Sequence, residues 1–151
     1  MIGIVVVTHG RLAEELVNAA QAIVGSIPRI EAVSIGWSDD VSVAREAIAA
    51  ALRSASGGEG PAAAEGHASA EPPASGEGVL ILTDMFGGTP TNLSLPFLSP
   101  GVEIVTGVNL PMLIKLTQSR EGSLREIARL CRDEGQEAIY VATDLLEKRS
   151  S

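Results

Sequence analysis

The sequence predicts an α/β protein with an open, doubly wound and mostly parallel sheet. Short runs rich in Val, Ile and Leu alternate with stretches in which apolar residues recur at helical spacing. Continuous apolar runs are typical of strands buried on both faces, and their alternation with helices is typical of parallel sheets. At 151 residues the chain is long enough for one domain with a substantial core.

The first part of the chain predicts two strands, each followed by a helix. Ile-Gly-Ile-Val-Val-Val is the first buried run, and Gly25 is placed to end the first helix. Either Asp39 or Asp40 is placed to cap the second helix. In chain order the predicted elements are a strand over 2–7, a helix over 11–24, a strand over 30–35 and a helix over 41–53.

An insert over 54–78 then interrupts the pattern. It consists almost wholly of Ala, Gly, Ser, Pro and Glu and has no large apolar residue, so it cannot bury a face. We expect a flexible surface segment in which His67 is exposed and solvated.

The remaining chain predicts a third buried strand and continued alternation. Pro90 is suited to the first turn of a helix, with Thr89 as its N-cap. The predicted elements are a strand over 79–83, a helix from about 90, a strand over 102–106, helices over 111–118 and 123–134, and a last strand over 137–142. We therefore expect a single domain over 1–146 and a frayed tail over 147–151.

Composition and charge exclude several classes of function. The net charge of −8 and the pI near 4.7 argue against binding to nucleic acid or to an anionic membrane surface, and favour a basic partner. No apolar run approaches the ~20 residues of a membrane span, and no signal peptide precedes the first strand. We expect a cytoplasmic protein without direct membrane insertion, with its single cysteine, Cys131, buried as a small apolar residue.

Polar side chains follow the predicted strands at their carboxyl ends, where ligands bind in such sheets. His9 follows the first strand, Asp84 the third and Asn109 the fourth. If the first and third strands are neighbours, His9 and Asp84 face each other. A carboxylate on one imidazole nitrogen keeps a proton there and leaves a lone pair on the other, which suits a general base or a nucleophile.

Glycines beside these two residues indicate what the histidine could attack. Gly10, Gly87 and Gly88 allow backbone amides to approach an anion, and the Thr89 hydroxyl can donate another hydrogen bond. A nucleophilic histidine in such surroundings suggests a phosphohistidine site. The chain has neither a Walker motif nor a GxGxxG, so we expect no bound ATP or NAD, and too few ligands surround His9 to suggest a metal.

Three segments resemble a known family when they are taken together and in order. They are GIVVVTHGRLAEELVNAA, VLILTDMFGGTPTN and VTGVNLPML, and the likeness covers most of 1–53 and 79–145. The chain resembles the IIA domain of the mannose/fructose/sorbose class of the bacterial phosphoenolpyruvate-dependent sugar phosphotransferase system.

The resemblance implies a role for each motif residue. His9 would be phosphorylated on Nε2 and Asp84 would hold its Nδ1, while Gly10, Gly87, Gly88 and Thr89 would line the phosphate site. Phe86 and Asn109 would form the wall of the site. HPr would donate the phosphoryl group and a IIB protein, expected on a separate chain, would accept it, with no cofactor. The implied fold has four parallel strands, and an antiparallel fifth strand, here 137–142, is exchanged across a homodimer.

Other functions remain open from the sequence. The phosphocarrier subunit of a dihydroxyacetone kinase would share the chemistry of His9 and differ in its acceptor. A non-catalytic binding module on the same fold would use neither His9 nor Asp84. A histidine phosphatase fits less well, since it would need Arg before His9, where this chain has Thr8. A metal-binding domain also fits less well, since it would need more metal ligands than His9 and Asp84. The sequence does not specify a sugar, and it leaves open a role in transport or in regulation.

Overall fold

Strand β1 lies in the interior of a four-stranded parallel sheet. The computed structural model describes residues 1–57 and 77–149. The strands are β1 (Gly3–His9), β2 (Ile30–Ile35), β3 (Val79–Thr83) and β4 (Val102–Thr106). They pair in the order β2-β1-β3-β4, and every pair is parallel. The predicted parallel sheet is confirmed, and so is the expectation that the first and third strands are neighbours.

Helices connect the strands at nearly the predicted positions. Asp40 is the residue that caps the second helix, since its side chain accepts from the Ser42 backbone N–H at 2.8 Å. None of the helices in the described ranges is long and apolar enough to cross a membrane. The helices are α1 (Leu12–Val24), α2 (Val41–Ala55), α3 (Thr89–Ser94), α4 (Leu110–Gln118), α5 (Leu124–Glu137) and α6 (Ala142–Arg149).

The sheet has a separate apolar core on each face. Alternate side chains of β1 point to opposite faces, so Ile4 and Val6 pack beneath α1, α4 and α5, while Val5 and Val7 pack beneath α2 and α3. Burial on both faces explains why the runs of β1 and β3 are almost continuously apolar. Cys131 belongs to the first core and is 0% exposed, which confirms the prediction for this residue. Burial raises the pKa of its thiol to about 12, so the thiol stays protonated and unreactive at neutral pH.

The C-terminal region differs from the prediction. Helix α5 continues to Glu137 and α6 begins at Ala142, so no strand forms over 137–142 within the single chain. Within residues 1–57 and 77–149 no strand pairs with the short apolar stretch Ile139-Tyr140-Val141, and an isolated strand is not stable. The tail expected to fray from 147 is helical to Arg149, and the positions 150–151 lie outside the described residues.

The insert predicted over 54–78 is shorter at both ends. Ser54 and Ala55 belong to the last turn of α2, and Glu77 pairs with Arg29 at 3.0 Å. One flank therefore belongs to α2, and the other is held by an ion pair to the residue before β2. The remaining positions, 58–76, include His67 and lie outside the described residues, so the expected flexibility stays a prediction.

Candidate functional site

The candidate site lies between the carboxyl ends of β1 and β3. After β1 the chain turns to α1 on one face of the sheet, and after β3 it turns to α3 on the other face. This divergence makes the point between β1 and β3 the topological switch point of the sheet, where a crevice opens. His9 is the last residue of β1, and Asp84 immediately follows β3, so the topology brings both to this crevice.

His9 and Asp84 are joined by two hydrogen bonds to one carboxylate oxygen. The Asp84 Oδ2 atom lies 2.8 Å from His9 Nδ1 and accepts the His9 backbone N–H at 2.9 Å. The other oxygen, Oδ1, accepts the Met85 backbone N–H at 3.0 Å. The histidine and aspartate side chains are 23% and 14% exposed, so the pair is sheltered but reachable from solvent.

The environment of Asp84 favours its ionised form. Burial by itself would raise the pKa of this carboxyl group, but the hydrogen bonds from the His9 backbone and ring outweigh burial and hold the pKa below its ordinary value of 3.8. A carboxylate can only accept, so Nδ1 must carry the proton of the shared hydrogen bond. The lone pair of neutral His9 is therefore on Nε2.

The segment Gly87-Gly88-Thr89 lies against the Nε2 side of the ring. A Cβ atom on Gly88 would lie 2.7 Å from His9 Cε1 and 3.3 Å from Nε2, so only glycine allows this close approach. Gly87 has a φ of +86°, a left-handed conformation that favours glycine. The structure therefore brings Gly88 to His9, and Gly87 forms the turn just before it.

Helix α3 begins beside the ring without a side-chain cap. Gly88, not Thr89 as predicted, is the N-cap, and Thr89 is the first helical residue. Pro90 contributes no N–H, and the glycine cap has no side chain to accept the first amides. Backbone donors at this end can therefore meet an anion that approaches Nε2.

Other predicted site residues have different surroundings. The Gly10 N–H already donates to the Ile35 carbonyl at 2.8 Å, so it is not free to meet a phosphate. Asn109 accepts the Met112 N–H at the start of α4 and donates to the Gly135 carbonyl in α5, so its hydrogen bonds are with helices. Phe86 is 74% exposed and lines a groove beside β4.

Sequence reasoning missed Trp37, whose indole stacks on the His9 ring. The ring centroids are 5.2 Å apart and the ring planes differ by 23°. A signal was available, because loops that follow neighbouring parallel strands meet at one edge of the sheet. Trp37 is the only tryptophan of the chain, and it stands just after the strand that pairs with β1.

The fold and the site together define a class of protein, a doubly wound α/β domain that presents a histidine–aspartate pair at its switch point. Within the described ranges no group of three or more His, Cys, Asp or Glu side chains could hold a metal ion. A family model described as the PTS system fructose IIA component, where PTS denotes the phosphotransferase system, matches residues 3–63 and 62–130. The chain belongs to this IIA family.

Curated relatives carry matching descriptions. The fructose-specific EIIA component of Bacillus subtilis is 34% identical over 73 residues, which cover 46% of this chain and 50% of that protein. The mannose-specific EIIAB component of Escherichia coli is 29% identical over 147 residues, which cover 91% of this chain and 38% of that protein. The chain thus spans half or less of the length of these relatives.

Solved structures have the same fold. The mannose/sorbose-specific IIA subunit from Enterococcus faecalis superposes with a TM-score of 0.73 at 28% identity, over 93% of each chain. A IIA protein associated with the fucose utilisation operon of Streptococcus pneumoniae superposes with a TM-score of 0.72 at 23% identity, over 95% of each chain. The second match is evidence of fold alone.

Proposed function

We propose that the chain is a phosphoryl carrier of a sugar phosphotransferase system. His9 accepts a phosphoryl group from HPr and passes it to a IIB protein, in sugar uptake or its regulation. The observation that carries the proposal is the bond between His9 Nδ1 and Asp84, which leaves the Nε2 lone pair facing Gly88 and the start of α3. Membership of the IIA family supports the same function.

The transfer follows from this arrangement. The Nε2 lone pair attacks phosphorus, and the bond between phosphorus and the donor breaks, with its electron pair leaving on the donor. The proton stays on Nδ1, so the phosphorylated ring carries a positive charge that the Asp84 carboxylate stabilises. Amides of Gly88 and Thr89 and the Thr89 hydroxyl are the candidate donors to the phosphoryl oxygens. Attack by the acceptor then returns His9 to its neutral form.

The charge of the chain supports the proposed partners and compartment. A net charge of −8 favours association with a protein whose docking face is basic. The relative from Escherichia coli is described as an EIIAB component, so in that protein the IIA and IIB parts occur together. We expect HPr and IIB to reach His9 in the cytoplasm, at the carboxyl ends of β1 and β3.

Two features support a homodimer in which C-terminal segments are exchanged. Strand β4 pairs only with β3, so its outer edge is open among the described residues, and a groove of about 640 Å³ runs beside it. Ile139, Tyr140 and Val141 are 75%, 65% and 64% exposed, which is costly for a run of this kind in a monomer. The segment of one chain would cover the β4 edge of the other.

Incubation with phosphoenolpyruvate, enzyme I and HPr tests the proposal. We expect the intact mass to rise by one phosphoryl group, on the peptide that contains His9. His9→Ala should abolish the gain and Asp84→Asn should slow it, while both variants stay folded because the site is at the surface. A IIA protein of known activity serves as the control. If that control is phosphorylated and this chain is not, the chain is a binding module instead.

A further inference from the structure

We propose that Trp37 is a positioning residue for His9. Its indole covers one face of the imidazole, keeps the ring aligned, and stabilises the positive charge of the ring once Nε2 carries a phosphoryl group. This inference rests on the proposed function of His9. It adds a residue that lies in neither of the two motifs around the site.

The stack is a specific contact and not a result of core burial. The centroid separation of 5.2 Å and the tilt of 23° fall within the favourable range for offset-stacked rings. Trp37 is nevertheless 87% exposed. A large apolar side chain this exposed contributes little to the core, so the contact with His9 is the feature that distinguishes its position.

The turn that carries Trp37 is held at both ends. The Gly36 N–H donates to Asp39 Oδ2 at 2.7 Å, and the Asp39 N–H donates back to the Gly36 carbonyl at 3.2 Å. On the other side, the Ile35 carbonyl accepts the N–H of Gly10, the residue after His9. These bonds hold the backbone of the turn that carries the indole close to the end of β1.

The His9 ring is therefore restrained from three directions. Asp84 holds the Nδ1 edge at 2.8 Å, and the Gly88 backbone lies against the Cε1 and Nε2 edge. The hydrogen bond to Asp84 acts in the plane of the ring, and the Trp37 face opposes tilting out of that plane. Such alignment matters because a nucleophile reacts only from a narrow range of orientations.

The indole also acts on charge. When Nε2 bonds to phosphorus and Nδ1 keeps its proton, the ring becomes a cation, and the face of tryptophan attracts cations more strongly than other aromatic side chains do. Hydrolysis of phosphohistidine removes this charge, since water attacks phosphorus and the ring leaves as neutral imidazole. Stabilising the cationic ring should therefore speed phosphorylation and slow hydrolysis.

A small phosphoryl donor separates this role from docking of a partner protein. Phosphoramidate transfers its phosphoryl group to Nε2 as its own P–N bond breaks and ammonia leaves. We would compare Trp37→Leu and Trp37→Phe with the wild type by intact mass, both during phosphorylation and after removal of the donor. Ile23→Ala is the control, because Ile23 is 60% exposed and lies at the far end of α1.

We expect Trp37→Leu to slow phosphorylation and to shorten the lifetime of phosphohistidine, each between about two- and tenfold, as for the loss of one aromatic pair. Trp37→Phe should stay within about twofold of the wild type because it keeps a stacked ring. All variants should keep the wild-type melting temperature. Because Trp37 is the single tryptophan, its fluorescence should change on phosphorylation and stay constant in His9→Gln.

Three outcomes would overturn the inference. Wild-type rates of phosphorylation and hydrolysis in Trp37→Leu would show that the stack has no role. Equal effects of Trp37→Leu and Trp37→Phe on these rates would show that the aromatic face is not the cause. Unchanged fluorescence on phosphorylation would show that the indole does not sense the ring. If the wild type takes no phosphoryl group from either phosphoramidate or HPr while the control IIA protein does, the proposed function itself fails.

Discussion

At the scale of single residues, the chemistry of His9 depends on how Asp84 is held. One carboxylate oxygen accepts hydrogen bonds from the ring Nδ1 and from the backbone N–H of His9. The other oxygen accepts a hydrogen bond from the Met85 backbone N–H. The carboxylate is therefore fixed by backbone donors at the ends of two strands, and it in turn fixes the ring. Side chains on different strands reach this precision because the β1–β3 ladder sets their separation.

The low pKa of Asp84 predicts a pH-dependent contribution to stability. The folded chain holds this pKa below 3.8, so between the two values the unfolded chain binds more protons. The contribution is complete above pH 3.8 and is lost as the pH falls through the lower, folded value. We expect Asp84→Asn to reduce the free energy of unfolding by about 1–2 kcal/mol at neutral pH, and the difference from wild type to shrink in acid.

Urea unfolding from neutral pH to below pH 3.8 measures the difference in the free energy of unfolding between Asp84→Asn and the wild type. Asp144→Asn, on the exposed face of α6, is the matched change from carboxylate to amide and should follow the wild type. A difference between Asp84→Asn and wild type that persists unchanged far below pH 3.8 would contradict the prediction.

At the scale of elements, Asn109 joins two helices. Its side-chain oxygen caps α4 through the Met112 N–H at 3.2 Å, and its amide donates to the buried Gly135 carbonyl in α5 at 3.1 Å. The Gly135 backbone lies so close that a Cβ there would meet Met112 at 2.6 Å. One side chain thus sets both the start of α4 and its packing against α5.

We expect Asn109→Ala to destabilise the fold and to leave phosphorylation of His9 intact. Loss of the cap and of the bond to Gly135 should cost about 2 kcal/mol, or roughly 4–8 °C in melting temperature. Ser123→Ala, which removes the cap of α5 at an exposed site, is the control and should cost about 1 kcal/mol. Lost phosphorylation with an unchanged melting temperature would instead support the predicted role of Asn109 as a site wall.

At the scale of the whole molecule, the outer edge of strand β4 is available for pairing with a second chain. Among the residues that the structure describes, strand β4 pairs with β3 alone, and the exposed apolar stretch Ile139-Tyr140-Val141 follows α5. An open strand edge and an unpaired apolar segment in one chain are complementary features, since each can satisfy the other in a second copy.

We expect the chain to be a dimer at micromolar concentration, with twice the mass of 15.6 kDa by light scattering. The double variant Ile139→Asp with Val141→Asp should have the mass of a single chain, because two charges would have to be buried at the β4 edge. Ile23→Asp, at a site on α1 that is 60% exposed, should remain a dimer. A wild-type chain that stays monomeric at high concentration would contradict the exchange.

Prediction from sequence succeeded where the pattern is local. The bounds of β2, β3 and β4 match the predicted ranges, because each strand is a short run rich in Val, Ile and Leu that is bounded by polar residues or glycine. The juxtaposition of His9 and Asp84 was predicted on the condition that β1 and β3 are neighbours, and the strand order of the structure meets that condition. The segment 137–142 is not a strand within the single chain, since a strand needs a neighbour to pair with, and its exchange across a homodimer stays a prediction.

The sequence by itself determined the class of fold, the positions of the buried strands and the choice of His9 and Asp84 as candidate site residues, since apolar periodicity and residue type are properties of the chain alone. Only the tertiary structure decided that the Gly10 N–H donates a hydrogen bond to a carbonyl of β2, that Asn109 donates one to a carbonyl of α5, and that Trp37 stacks on His9. These contacts join residues far apart in the chain. Their geometry depends on the exact path of each loop over the sheet, which no local pattern encodes.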